Sequence, residues 1–217
     1  MKILIGCEES QAVTIELRKL GHEAYSCDLE PCSGGHPEWH FRCDIYDVLY
    51  LGWDAIGMHP SCTKLTVSGN ATYAKGKPKH HERLEAAKWT EALWNECTRI
   101  CDKVYFENPI GVLPTLTTMG KPTQIIQPYN FGEDASKATC LWLTGFPKLR
   151  NTSYYPPRIV DGKERWGNQT DSGQNKLTPS PDRAMLRSKT YAGIAKAIAE
   201  QFTNTENKQP NLFTLIK

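Results

Sequence analysis

Two short runs carry the residue types for group-transfer chemistry: His59-Pro60-Ser61-Cys62 and Glu107-Asn108-Pro109. The first sets a thiol in a proline-containing turn just after an apolar run, where a nucleophile can be presented to a ligand. Cysteine also serves as a small buried hydrophobe. That role suits Cys97 and Cys101 better than a cysteine inside HPSCTKLTVSGN. Glu107 ends the hydrophobic run Val104-Tyr105-Phe106. A carboxyl there is expected to be partly desolvated, in a place suited to donating a proton or a hydrogen bond. Taken alone, Glu107 reads equally well as a surface cap on the next turn. One connecting helix separates the two runs, so their strands can be neighbours and both groups can reach one pocket.

Hydrophobic periodicity supplies the elements that would hold them. Segments 2–7, 22–31, 53–60, 103–109, 123–129 and 137–145 read as strands, as does WHFRCDI with Asp44 near its end. Helical spacing spans AVTIELRKLG, with Gly21 as its stop, then residues 82–102 and SKTYAGIAKAIAEQF. In the middle helix Leu84, Ala87, Leu93, Trp94, Cys97, Ile100 and Cys101 are expected on one side. Residues 61–81 read as a long basic loop. The alternation predicts an α/β fold with a mostly parallel, doubly wound sheet covered on both faces. Ligands bind such sheets beyond the carboxyl ends of the strands. There the sequence places Cys7-Glu8-Glu9-Ser10, Asp28, Asp44, the Cys62 turn, Glu107-Asn108-Pro109 and Gln127-Pro128. Asp28 lies about 20 residues past the first strand-to-helix turn, where an acid commonly takes ribose hydroxyls. Asp44, one strand on, is placed to accept from an adenine amine. Ordinary turn formation or helix capping is the competing role for both.

Composition bounds the answer. With 217 residues, 39% hydrophobic and 23% charged, the chain suits one soluble domain with a real core. No apolar run approaches the length that spans a bilayer, and Met1-Lys2 leads straight into a strand, so a cytoplasmic protein without a secretory signal is expected. The eight cysteines are then expected to be reduced thiols. Cys27, Cys32, His36, His40 and Cys43 supply metal-type ligands but lack the tight paired spacing of zinc sites, so no metal is expected. Residues 1–60 carry 4 Lys/Arg against 10 Asp/Glu and the remainder 22 against 14, a polarity compatible with two kinds of ligand or with solvated surface alone.

The motif order resembles the DNA (cytosine-5)-methyltransferases. In that family a Pro-Cys motif follows the fourth strand and an ENV motif the fifth, and HPSC and ENP look like these two. The chain is most similar to a compact group frequent in phage genomes that reads CE-x-S, HPPCT, ENP, QPW and KAT. The resemblance covers roughly residues 2–146 and 185–202. It implies the Rossmann-like fold of S-adenosylmethionine-dependent methyltransferases and S-adenosyl-L-methionine as cofactor. The cofactor residues it implies are Gly6, Cys7, Glu8, Ser10, Asp28, Asp44, Ile45 and Pro60, with Thr190 and Tyr191 ahead of the closing helix. The catalytic set it implies is Cys62, Glu107 and Asn108, with Lys137 and Thr139 of Lys137-Ala138-Thr139 standing where the family has Gln-x-Arg-x-Arg. Ser61 replaces a proline, and Gly6-Cys7-Glu8-Glu9-Ser10 replaces a glycine-rich turn. Residues 1–202 would form one catalytic domain, followed by a tail at 203–217. Where the family has a large target-recognition domain, only the loop-rich stretch 147–184 is available, too short to fold independently.

The implied reaction is methylation of cytosine carbon-5 in DNA, in single strands or on a base flipped from a duplex. The thiolate adds at carbon-6, the glutamate stabilises the charge that builds on the ring, and loss of the carbon-5 proton later expels the thiol. Lys64, Lys75, Lys77, Lys79 and Arg83 form a basic stretch suited to a phosphate-contacting lid, or simply to a solvated loop. Arg158, Arg165, Arg183 and Arg187 add charge, with Tyr154, Tyr155 and Trp166 for stacking. So short a recognition segment predicts a very short target context or none. Two further readings stand beside this one: modification of a free pyrimidine nucleotide or transfer of another group, and a non-catalytic protein that binds nucleic acid or blocks a nuclease.

Overall fold

Three apolar strands, with side chains facing alternate sides, set up both layers of the protein. In the computed structural model, which describes residues 1–177 and 189–204, these are β1 (Lys2–Gly6), β4 (Ala55–Met58) and β5 (Val104–Pro109). Leu4, Ile56, Met58, Val104 and Phe106 join one core, with α2 (Ile45–Val48), α4 (His80–Ile100) and α5 (Leu113–Leu116) contributing Val48, Leu93, Cys97 and Leu113. Ile3, Ile5, Ala55 and Tyr105 join the other, against Val13 and Leu17 of α1 (Ala12–Lys19) and Ile194, Ile198 and Phe202 of α6 (Ala192–Thr203). Gly57 makes room for Tyr105: a Cβ at that position would collide with the tyrosine ring.

Strands β2 (Glu23–Asp28), β3 (His40–Arg42), β6 (Gln124–Ile126) and β7 (Thr139–Thr144) complete a seven-stranded sheet in the order β3-β2-β1-β4-β5-β7-β6. The first five places are parallel, and β7 runs antiparallel to both β5 and β6. The fold is therefore α/β, a mostly parallel Rossmann-like sheet. Its strand order reverses between β1 and β4, where a ligand crevice is expected to open. Among the described residues no helix is long and apolar enough to cross a membrane.

Several elements differ from the periodic reading. Residues 61–81 are not one loop, because a 3₁₀ turn at Val67–Gly69 and α3 (Asn70–Tyr73) lie within them. Helix α4 buries Arg83, Ala87, Thr90, Leu93 and Cys97, leaving Leu84 45% exposed. The extended run expected to reach Asp44 stops at Arg42, because Asp44 accepts a hydrogen bond from Tyr46 N (3.0 Å) and so caps α2. Within 147–184, β8 (Arg158–Val160) and β9 (Lys163–Arg165) form a hairpin rather than loop. Its Asp161-Gly162 turn has positive φ at both positions (48° and 72°), as a two-residue hairpin turn requires.

Candidate functional site

A cavity of about 810 Å³ opens at the carboxyl edge of β1, β2, β4 and β5, around the reversal point. That volume lies toward the upper end for small-molecule sites. The ends of β4 and β5 bring Cys62, Glu107 and Asn108 to its wall, and the approach to β7 brings Lys137. Cys7, Glu8 and Ser10 line it from the end of β1, Asp28 from β2, Asp44 and Ile45 from the start of α2, and Pro60 and Thr190 close it. Residues from seven separate stretches of sequence thus meet at one place.

Local bonding gives several of these residues a second job. Asp28 Oδ1 accepts from Glu30 N (3.0 Å), holding the turn after β2, and Asp44 is the α2 cap described above. Each uses one carboxylate oxygen in this way. Asn108 is buried, and its Nδ2 donates to Pro60 O (2.8 Å), tying the Cys62 turn to the end of β5. Its Oδ1 is buried with no hydrogen-bond partner among the described residues, a state that is uncommon in native proteins. Cys7 takes a left-handed conformation (φ 57°) that normally favours glycine, so the β1 turn is made without a glycine there. Burial, with Asp28 and Asp44 adding to it, pushes the Cys7 thiol up to about 12.

Other expected site residues stand apart from the cavity wall. Gly6 lies beneath it, where a Cβ would collide with Met58 and meet Ile45. Thr139 is buried in β7, and its Oγ1 donates to Lys137 O (3.1 Å), so it shapes the lysine's turn. Tyr191 occupies the N-terminal cap position of α6 and packs on the second core.

Glu8 lines the cavity and also holds the fold. It is 2% exposed, and its carboxylate bonds the start of α1. Oε1 accepts from Val13 N (2.7 Å), and Oε2 accepts from Thr14 N (3.3 Å) and Thr14 Oγ1 (2.7 Å). It therefore caps α1 in place of Gln11, whose side chain makes no cap bond. Burial pushes its carboxyl up to about 7 from an ordinary 4.5, against the pull of these donors. Because the native pKa is the higher one, folding takes up a proton. The resulting stability is fully present below about 4.5 and is lost as pH rises through about 7. Over that window wild type should lose on the order of 3 kcal/mol relative to Glu8→Gln, as read by urea unfolding at both ends. Parallel pH profiles for the two proteins would count against this role.

The basic residues divide sharply. Lys75 and Lys77 are exposed. Lys64 and Lys79 pair with Glu82 at 3.1 and 3.8 Å. Arg83, expected on a phosphate-facing lid, is 3% exposed and serves the interior instead. It donates to Lys64 O (2.6 Å), Asn70 Oδ1 (2.8 Å) and Thr66 O (3.0 Å). Arg158 pairs with Asp171 and donates to Gln169 O, and Arg165 donates to Asp171 O, so both brace the hairpin. Trp166 is 5% exposed and stacks on Tyr129 (4.2 Å between centroids), which removes it as a platform for bases. Tyr154 and Tyr155 stay exposed. Arg183 and Arg187 lie outside the described residues.

The cysteine and histidine cluster near β2 disperses. His40 bonds Ser26 Oγ and Glu30 O, His36 stacks on Trp39, and Cys27 faces Cys43 at 4.0 Å. Among the described residues no three metal-type ligands converge.

The sequence alone did not point to Gln11 or Trp89 as neighbours of the site, nor to a separate role for His59. Gln11 is fully buried and bonds His36 O, His36 N and Ser26 Oγ, fixing the loop beside Asp28. His59 also lines the cavity, with Nε2 3.0 Å from Tyr105 Oη and Nδ1 3.4 Å from Thr190 Oγ1. Burial lowers its pKa, so the imidazole is neutral at pH 7. Trp89 of α4, 40% exposed, lies at the rim. The chain matches no protein-family model and no curated protein sequence.

Proposed function

We propose that this protein is a minimal S-adenosylmethionine-dependent DNA (cytosine-5)-methyltransferase. One observation carries the reading: the Cys62 turn and Glu107 share a single crevice with Asp28 and Asp44. The donor set suits the cofactor. Asp28 and Asp44 would take its ribose hydroxyls and adenine amine, Ile45 and Pro60 offer apolar contact, and the volume admits a nucleoside-sized group together with a base. When bound, S-adenosylmethionine supplies an electrophilic methyl group.

The chain's own residues do the rest. Cys62 Sγ adds at carbon-6 of cytosine, making carbon-5 nucleophilic. Glu107 hydrogen-bonds nitrogen-3 and the exocyclic amine, where electron density builds. Asn108 holds the nucleophile's turn through Pro60 O. Loss of the carbon-5 proton after transfer lets the Cys62 thiolate leave.

A free pyrimidine nucleotide is the second reading, favoured by the internal engagement of Arg83, Arg158 and Arg165. Trapping separates the two. A 5-fluorocytosine-containing DNA should form a complex with the wild-type protein that survives denaturation, and only with S-adenosylmethionine present, because fluorine cannot leave as the proton does. Capture of the free 5-fluorinated nucleotide but not of DNA would select the second reading. No capture of either, with no cofactor binding by calorimetry, would remove both.

A further inference from the structure

The carbon-5 proton must pass to a base, and the end of β4 holds a group suited to take it. Met58 of β4 pairs with Phe106 of β5 in parallel register, so His59 and Glu107 follow at neighbouring strand ends. Cys62 comes three residues later in the same turn, and all three line one cavity. The ring of His59 is held from two sides. Nε2 lies 3.0 Å from Tyr105 Oη, and Nδ1 lies 3.4 Å from Thr190 Oγ1. Its backbone is fixed too, since His59 N donates to Gly6 O (3.0 Å).

Both partners of the ring are hydroxyls, and a hydroxyl can donate or accept. With the ring neutral, Nε2 donates to Tyr105 Oη and Nδ1 accepts from Thr190 Oγ1. After a proton arrives at Nδ1, the same two oxygens both accept. The ring can therefore gain a proton without losing a partner, and the long contact to Thr190 leaves its lone pair within reach of a ligand. Tyr105 is a firm mount: it is 2% exposed, and its ring packs on Phe202 and fills the space above Gly57. Burial lowers the pKa of His59, whereas Glu107 raises it and Lys137 lowers it, so both charges act on the ring. The other acids of the wall are occupied elsewhere. Asp28 and Asp44 hold the turns after β2 and β3, Glu8 bonds the start of α1, and the buried Cys7 thiol stays protonated.

We propose that His59 is the base of the reaction, accepting the carbon-5 proton at Nδ1 and thereby releasing Cys62. This rests on the methyltransferase reading above, with either DNA or a free nucleotide as substrate. After methyl transfer, carbon-5 carries both the new methyl group and its original hydrogen. The bond to that hydrogen breaks, and its electron pair forms the double bond between carbon-5 and carbon-6. The bond from carbon-6 to sulfur breaks in turn, and its pair leaves on Cys62 as a thiolate. Glu107 steadies the imidazolium that results, which then returns its proton to the thiolate. Both groups are ready for the next round.

The test is His59→Gln, whose amide can still bond both hydroxyls but takes no proton. Steady turnover, on whichever substrate wild type methylates, should fall about a hundredfold or more. Methyl transfer should still occur once per protein. Acid-quenched samples should then hold Cys62 joined covalently to ordinary, unfluorinated cytosine, a species that wild type clears. Capture by the 5-fluorinated substrate should match wild type, because that adduct forms before any proton is lost. Equal capture also shows that the variant folds and binds. Tyr105→Phe, which keeps the ring in the core but removes the hydroxyl that orients His59, should accumulate the same adduct to a smaller extent. Near wild-type turnover by His59→Gln, or slow turnover without the adduct on ordinary cytosine, would overturn the assignment. Should His59→Gln fail to be captured at all, Tyr105→Phe decides: accumulation supports the role and prompt release overturns it. Wild type that neither transfers a methyl group nor is captured would remove the methyltransferase reading and this role with it, whereas an active wild type with a normal His59→Gln removes the role alone.

Discussion

Cys62→Ser is expected to lose turnover by on the order of a thousandfold or more, with S-adenosylmethionine affinity unchanged. The serine keeps the size of the side chain but is a far weaker nucleophile toward carbon-6. The cavity wall and the Asn108 to Pro60 bond should both survive, so binding of cofactor is the internal control. Covalent capture by 5-fluorocytosine DNA should vanish with turnover. Cys97→Ala, whose thiol is buried on the core face of α4, should keep full turnover at a temperature where it remains folded. Methyl transfer by Cys62→Ser at near wild-type rate would reject the covalent mechanism.

Arg83→Met is expected to destabilise the fold by about 3 kcal/mol, with the deficit seen in urea or thermal unfolding. Methionine can fill much of the volume but offers nothing to Lys64 O, Thr66 O or Asn70 Oδ1, which the guanidinium now satisfies. Lys75→Met, at an exposed site, should change stability by less than about 0.5 kcal/mol. A loss below about 1 kcal/mol at Arg83 would mean that water replaces the brace. The contrast separates two residues that look alike in a count of charges.

That contrast also shows what the sequence could and could not convey. Strand-end residues were legible because parallel strands in such folds present their carboxyl ends to ligands, and Cys62, Glu107, Asp28 and Asp44 do meet in one crevice. The place of Arg83 is not legible from its charge, which is the same on a buried and an exposed arginine. Its spacing to Ala87, Thr90 and Cys97 follows the buried stripe of α4, and that spacing was the usable signal. The β8–β9 hairpin was passed over although Asp161-Gly162 is a strong turn pair, because the strands on either side are too short and too polar to show periodicity. The capping role of Glu8 was not legible because helix caps are sought at the residue just before a helix, whereas this one reaches over from four residues earlier. The reversal of β7 was not legible at all. A period of two along TCLWLT is the same in either direction, and only its partners β5 and β6 define it.

Strand β7 follows β5 and β6 in the chain yet lies between them in the sheet. A chain is made in one direction, so this order has a cost in time. While a ribosome has released only the first 130 or so residues, β5 has an unpaired edge and β6 has no neighbour to join. Helix α1 waits longer still, since the apolar face of Val13 and Leu17 is covered by Ile194, Ile198 and Phe202 from the last described helix. Nearly every residue of the crevice has been synthesised when the first 130 or so are out, Lys137 and Thr190 excepted. The nascent protein thus holds most of its chemistry before it holds its structure, and during that interval sticky surface must be shielded from other chains.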